Sequence, residues 1–322
     1  MKTLFAALFS VIACTSAFSA EVAAVAESLA AKATAGTITY KAENNWLYSK
    51  NEQAHLAKGV LAKGEVVKKS ACRKPANADP LPALKAFNDE LAKHGIKLIV
   101  IPVPPKLAAE PCAPLKRGEA MVYLRPFYQE LRAQGIDVLD LSERFLADAD
   151  KHYYCRTDAH WNPAGIGAAA EELAKRIDLR GTTEFPATAS ELDISGDLAK
   201  SLAPNDPERE KLAFTAVGSK PIDESSPVLL IGDSHTLVFS TGGDMLAEHG
   251  GLAERLAVFL KMPIDRIGVK GSAATAVRIN LYRKAVKNPE WLKGKKFVIY
   301  CFSCREFTES TSGWVNVPVG KK

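Results

Sequence analysis

Past its first twenty positions the 322-residue sequence has no apolar run approaching the ~20 residues that a membrane-spanning helix needs, so no transmembrane helix is expected in the mature chain. It also lacks any block of basic residues longer than pairs such as Lys68-Lys69 and Lys295-Lys296. A formal charge of +5 spread that thinly does not argue for nucleic acid, although it suits an anionic polymer or a cell-envelope surface. There is no internal repeat. Cysteine is sparse, six in all, and Cys301-Phe302-Ser303-Cys304 has no second pair at metal-binding spacing, so no metal site is expected. That pair reads as two cysteines at the end of a buried strand.

What is present is enough apolar sequence, 47% of residues against 25% charged, for a sizeable core in one main domain. Residues 1–20 read as an export signal: Lys2, an apolar run from Leu4 to Ala13, and small residues up to Ala17 and Ala20. Small-residue cleavage sites favour simple removal, but Val11-Ile12-Ala13-Cys14 resembles a lipoprotein box that would leave a lipidated Cys14. Either route makes the protein exported or periplasmic. Residues 21–43 form an Ala-rich extension, and the globular domain is expected over 44–322. Export permits disulfides. Of the five cysteines beyond Cys14, Cys72 and Cys112, both in Pro-rich loop sequence, are the expected pair, and an odd count leaves at least one thiol over.

Leu81, Leu84, Phe87 and Leu91 give a helical stripe that stops at Gly95, followed by the strand-like run 96–103. The unit recurs: an amphipathic stretch from Glu119 to Gln134, a strand over 136–141, and a helix capped by Ser142. Asn162 as N-cap and Pro163 at the first helical position open a further helix to about Ile177. Later come a strand over 228–231, helices near 252–260 and 273–285, and a strand over 297–300. Helices alternating with short β-branched runs predict an α/β fold with a mostly parallel sheet and helices on both faces. Ligands then belong at the carboxyl ends of the strands.

Gly232-Asp233-Ser234-His235 sits at such an end, and glycine-preceded serine there is where an α/β enzyme exposes a nucleophile. A serine hydroxyl needs a base, and the base needs a third group to hold its tautomer. Asp158-Ala159-His160 offers both, since residues two apart in an extended turn face the same way. Asp158 is then placed on Nδ1 of His160 and Ser234 on Nε2. His235 reads as a pocket wall.

In the order Asp-x-His-Trp and then Gly-x-Ser, the sequence resembles the SGNH hydrolase-like O-acetyltransferases of exopolysaccharide biosynthesis, the AlgX/AlgJ-like alginate group. "NNWLY" (44–48), "GIKLIVIPVPPK" (95–106), "TDAHWNPAG" (157–165), "SGDLAKSL" (195–202) and "LLIGDSHT" (229–236) carry the resemblance in the family's order. Ala159 stands where the family usually has threonine, and Asn44-Asn45 where it has Asp-Gly. The sequence after the catalytic part is too short for the carbohydrate-binding module that some members carry, so sugar grip is expected from this domain or a partner.

The resemblance implies a three-layer α/β/α SGNH-like fold and a Ser234–His160–Asp158 triad that moves an acetyl group through an acyl-serine to a polysaccharide. It implies no cofactor, the acetyl group coming from a membrane-bound O-acyltransferase partner. The oxyanion hole is expected from the Ser234 N–H with a donor at Gly271-Ser272, where glycine lets the backbone approach a ligand; a helix start capped by Ser272 reads the same residues. Lys106, Trp161, Arg278 and Tyr282 are candidates for holding the sugar. An acetylesterase using the same triad, and a non-catalytic assembly protein that kept the fold, are the alternatives.

Overall fold

The computed structural model describes residues 22–28, 31 and 39–321, apart from 63, 114, 119, 120, 122 and 149. The export segment 1–20 and Cys14 lie outside the described residues.

Strand β1 (Thr39–Lys41) pairs antiparallel with β2 (Leu47–Ser49). The turn between them places Asn45 at φ 65°, a left-handed conformation that asparagine tolerates better than most residues. This is the position where the resembling family carries glycine, so the departure noted in the sequence keeps the turn.

The helix Pro80–Lys93 opens on Asp79, whose side chain accepts the Leu81 N–H at 2.9 Å, and buries Leu84, Phe87 and Leu91. It feeds β3 (Lys97–Val103), which is buried from its second residue onward. The amphipathic stretch before Gly135 forms the helix Arg125–Ala133, with Pro126 in its first turn, where the missing N–H costs nothing. The strand expected over 136–141 narrows to β4 (Asp137–Val138). It is an edge strand, and the chain leaves the ladder at Asp140, whose carboxylate takes the Ser142 N–H at 2.9 Å. Ser142 is therefore the first residue of the helix Ser142–Leu146 and not its cap.

The helix Pro163–Arg176 begins as the sequence predicted, with Asn162 accepting from the N–H groups of Ala164 and Gly165. Two long antiparallel strands follow that the sequence did not suggest, β5 (Ala187–Ile194) and β6 (Glu210–Val217). β5 is mostly exposed and polar, so it carries no alternating apolar signal. The remaining strands are β7 (Val228–Gly232), β8 (Asp265–Gly268) and β9 (Phe297–Ser303). The helix expected over 273–285 runs Ala276–Lys287, with Thr275 rather than Ser272 before it.

The central sheet has the order β4-β3-β9-β7-β8 and every pairing is parallel. The helices Pro80–Lys93 and Ala276–Lys287 meet over β9, where Arg278 lies over the Phe87 ring and Phe87 packs on Tyr300. The helices Pro163–Arg176 and Leu252–Leu260 pack against each other to form the second helical layer. The result is the three-layer α/β/α arrangement. Because β3 and β4 run outward on one side and β7 and β8 on the other, the order reverses around β9, and the crevice there gathers the ends of β3, β9 and β7.

The expected disulfide is not formed. The Cys72 segment runs beside the C-terminal residues, with Ala71 N–H on Thr308 O and Arg73 N–H on Thr311 O, and its thiol faces the Lys74 carbonyl at 3.2 Å. Cys112 is buried near Tyr48, after the short helix Lys106–Ala109. Each thiol thus has a different local environment, and neither sulfur is bonded to the other. Cys301 and Cys304 are fully buried at the end of β9, as their context suggested. Among the described residues no helix is long and apolar enough to cross a membrane.

Candidate active site

The site begins with two backbone turns. Gly232 ends β7 opposite Cys301 of β9, and a Cβ there would overlap the Cys301 carbonyl oxygen and the Thr236 methyl; only glycine allows the chain to turn so tightly against its neighbour. Ser234 follows as the first residue of a 3₁₀ turn, partly exposed at the strand end. The second turn closes residues 155–160: Cys155 N–H donates to His160 O at 3.1 Å, and Asn162 N–H to Tyr153 O at 2.9 Å. Glu210, at the start of β6, clamps that loop from outside by accepting from the N–H groups of Thr157 and Arg156, at 2.7 and 2.8 Å.

These turns bring Asp158, His160 and Ser234 together. His160 Nδ1 lies 2.6 Å from Asp158 Oδ1, and Nε2 lies 2.6 Å from Ser234 Oγ across 74 residues of sequence. Asp158 Oδ1 also accepts the His160 N–H at 2.9 Å, and Oδ2 accepts the Asp197 N–H at 2.9 Å. Gly196 lets that amide come close, because a Cβ at 196 would collide with Asp158 itself. Burial alone would raise the Asp158 carboxyl. The facing imidazole and the two N–H donors outweigh it and hold the group below the ordinary carboxylate range. Burial likewise pulls His160 down, and the Asp158 charge and hydrogen bond more than reverse that, leaving the imidazole above its usual value.

Asp158, His160 and Asp197 offer ligand atoms within 4.8 Å of one another, a grouping that could hold a cation. Both ring nitrogens of His160 are already engaged, however, and Asp197 Oδ1 accepts the Ala159 N–H at 2.8 Å. The arrangement is a hydrogen-bonded relay and fits a metal poorly.

Ser234 and His160 open on a cleft of about 360 Å³ also lined by Glu52, His235, Gly271 and Arg305. The other residues singled out in the sequence fall elsewhere. Lys106 is fully buried, and its ammonium donates to the carbonyls of Leu47 (2.6 Å), Arg156 (3.1 Å) and Asp158 (2.8 Å), so it is a post under the Asp158–His160 loop and no sugar ligand. Trp161 is also fully buried; its indole N–H donates to His235 O at 3.2 Å and ties the Asp158–His160 loop to the Ser234 turn. Arg278 is buried between Phe87 and Trp314, with its guanidinium on the Ala274 carbonyl. Tyr282 lies one turn farther along that helix and does not line the cleft. Gly271 does line it, but the Ser272 hydroxyl turns away to Glu306 and Ser310.

Sequence reasoning missed Asp197, Glu210 and Arg305. Asp197 lay in the quoted stretch 195–202 but had no chemical partner in view there, and Glu210 and Arg305 carry no local signal.

A parallel sheet with a serine at the end of β7 and an Asp-x-His loop folded onto it defines an SGNH hydrolase-like domain. The chain belongs to the family described as "SGNH hydrolase-like domain, acetyltransferase AlgX", which matches residues 39–242. It is 30% identical over 176 residues to the probable alginate O-acetylase AlgJ of Pseudomonas syringae pv. tomato, a match covering 51% of this chain and 41% of that relative. The chain therefore spans well under two thirds of the curated relative. Its fold is similar to the O-acetyltransferase domain of Pseudomonas putida AlgJ, with TM-score 0.62 and 18% identity over 84% of this chain and 92% of that one. It is also similar to Pseudomonas aeruginosa AlgX, with TM-score 0.59 and 20% identity over 83% and 62%. At these identities the likenesses establish the fold.

Proposed function

We propose that the protein is an O-acetyltransferase of an exported polysaccharide, of the alginate type named for its relatives, working through an acetyl-Ser234 intermediate. The observation that carries the reading is the single imidazole, His160, held by Asp158 on one nitrogen and bonded to Ser234 on the other at the mouth of a cleft.

In the first half-reaction His160 Nε2 takes the Ser234 proton as Oγ attacks the donor's acetyl carbon, and Asp158 stabilises the imidazolium. The proton then goes to the departing donor group. The oxyanion is met by the Ser234 N–H and by a backbone donor at Gly271 on the cleft wall. In the second half-reaction a sugar hydroxyl gives its proton to His160 and attacks the acyl carbon, and Oγ leaves with that proton. Arg305 lines the cleft and can meet a carboxylate of the acceptor, whereas Lys270 is paired with Asp244 at 2.6 Å. The chemistry asks for no metal or bound cofactor. An O-acyltransferase in the membrane supplies the acetyl group, and the protein works on the exported, periplasmic side.

The test is intact mass spectrometry after incubation with p-nitrophenyl acetate, with and without oligomannuronate. The wild-type protein should gain one acetyl group and pass it to the sugar, and Ser234→Ala should gain none while keeping its melting temperature, since a partly exposed hydroxyl adds little stability. Release of acetate alone with the oligosaccharide present would identify an esterase, and an adduct that persists in Ser234→Ala would remove the acyl-serine reading.

A further inference from the structure

The cleft contains a second acid–imidazole pair that the mechanism above does not use. Asp233 Oδ1 accepts from the N–H of His235 at 2.9 Å and from its Nδ1 at 3.0 Å. Asp233 Oδ2 accepts the Ser303 N–H at 2.7 Å, so the carboxylate is anchored to the end of β9. This fixes the proton of His235 on Nδ1 and leaves Nε2 as an acceptor. Among the described residues Nε2 has no hydrogen-bond partner, and the ring lines the same cleft as Ser234 and His160. The two imidazoles stand edge to face, with centroids 4.9 Å apart. Burial lowers the His235 imidazole from its ordinary value, more than Asp233 raises it, so it stays neutral and able to accept.

We infer that His235 Nε2 accepts a hydrogen bond from the hydroxyl next to the one being acetylated, so that the preferred acceptor is a vicinal diol. The inference rests on the acyl-serine reading above and adds a binding partner to its second half-reaction. Two acceptor nitrogens on adjacent rings can each take one of two hydroxyls on neighbouring ring carbons. One hydroxyl meets His160 and loses its proton there. Its neighbour keeps its proton and donates it to His235, which holds the sugar against rotation and favours a near-attack pose over water. No proton is transferred to His235: the acceptor oxygen bonds to the acyl carbon, the acyl–Oγ bond breaks, and the single proton passes through His160 to Ser234. A buried, anchored Asp–His pair holds this acceptor in place without a mobile side chain to order.

The experiment uses the full chain, acetylated with p-nitrophenyl acetate and then offered cis-1,2-cyclohexanediol or 1,3-cyclohexanediol. The readout is the ratio of acetylated diol to free acetate. Both products come from the same acyl-enzyme, so changes in the first half-reaction cancel. Wild type should favour the 1,2-diol by about tenfold, the size of one well-made hydrogen bond. His235→Asn offers an amide nitrogen to Asp233 and nothing in the place of Nε2, and it should erase the preference. His235→Gln carries an amide outward and should restore part of it, which a purely structural role would not. Equal partition by wild type, or an undiminished preference in His235→Asn, overturns the inference while leaving the acyl-serine intact. A wild type that forms no acyl-enzyme overturns the underlying reading and this inference with it.

Discussion

Asp197 and Asp158 hold each other's loops: the Asp197 N–H donates to Asp158 Oδ2 at 2.9 Å, and Asp197 Oδ1 takes the Ala159 N–H at 2.8 Å. The Asp158 carboxylate is thus fixed by a residue 39 positions away. Its negative charge also contributes to holding His160 up.

Replacing Asp197 separates these two effects. Asp197→Ala leaves the Ala159 amide without its acceptor, and acylation should slow by about tenfold as the 158–160 turn loosens. Asp197→Asn retains an acceptor oxygen and should recover most of that rate. Both variants remove the charge, so both should move the midpoint of the acylation pH profile to lower pH. Stopped-flow release of p-nitrophenol from pH 5 to 9 reads rate and midpoint together.

Acylation and dyad stability should respond oppositely to pH. The base must be neutral, and its folded value lies above 6.5, so the acylation rate should rise with pH through a midpoint on the alkaline side of 6.5. A raised imidazole contributes stability that is full below its unfolded value and is lost as pH rises through the folded one. The depressed Asp158 contributes stability that is present above its unfolded value and is lost as pH falls through the folded one. The pair should therefore stabilise the fold most between about pH 4 and 6.5, where acylation is expected to be slow. Urea melts of wild type and Asp158→Asn across this range check the sign: their difference should be largest there.

Lys106 supports three carbonyls, two of them fully buried, so Lys106→Met should cost roughly 3 kcal/mol of stability, the penalty for leaving buried acceptors unmet. A sugar ligand would behave differently, raising KM and leaving the melt alone. Denaturant midpoints beside KM for an oligosaccharide acceptor distinguish the two.

Glu306 gives a pH signature away from the triad. Burial pushes its carboxyl up to about 7, against the Ser272 hydroxyl, which lowers it. Between about pH 4.5 and 7 the unfolded chain releases this proton and the folded chain keeps it, so stability should fall as pH rises, by ~3 kcal/mol in all. Glu306→Gln should flatten that slope; an unchanged slope would mean the group is ionised in the fold.

Much of the catalytic geometry was legible because it is local. The Asp158–His160 bond joins residues two apart, Asn162 and Pro163 announce their helix, and Gly232 precedes Ser234 by two positions. The substrate residues were misread because Lys106, Trp161 and Arg278 look alike in sequence whether a charge or ring faces a ligand or a carbonyl. The proposed Cys72–Cys112 pair failed for a related reason: shared loop composition says nothing about which other segment each thiol lies against.

By itself the sequence determined the alternation of helices and strands, the acid–imidazole turn, the serine at the end of a strand, and the family pattern that joins them. These depend on propensity, capping and spacing within a few residues. Tertiary structure alone decided that β9, last in the chain, inserts between β3 and β7. That choice brings Arg305 to the cleft beside Ser234 and anchors Asp233 on Ser303. Such contacts follow from burying both faces of a parallel sheet, a property of the whole packed core that no short stretch of sequence encodes.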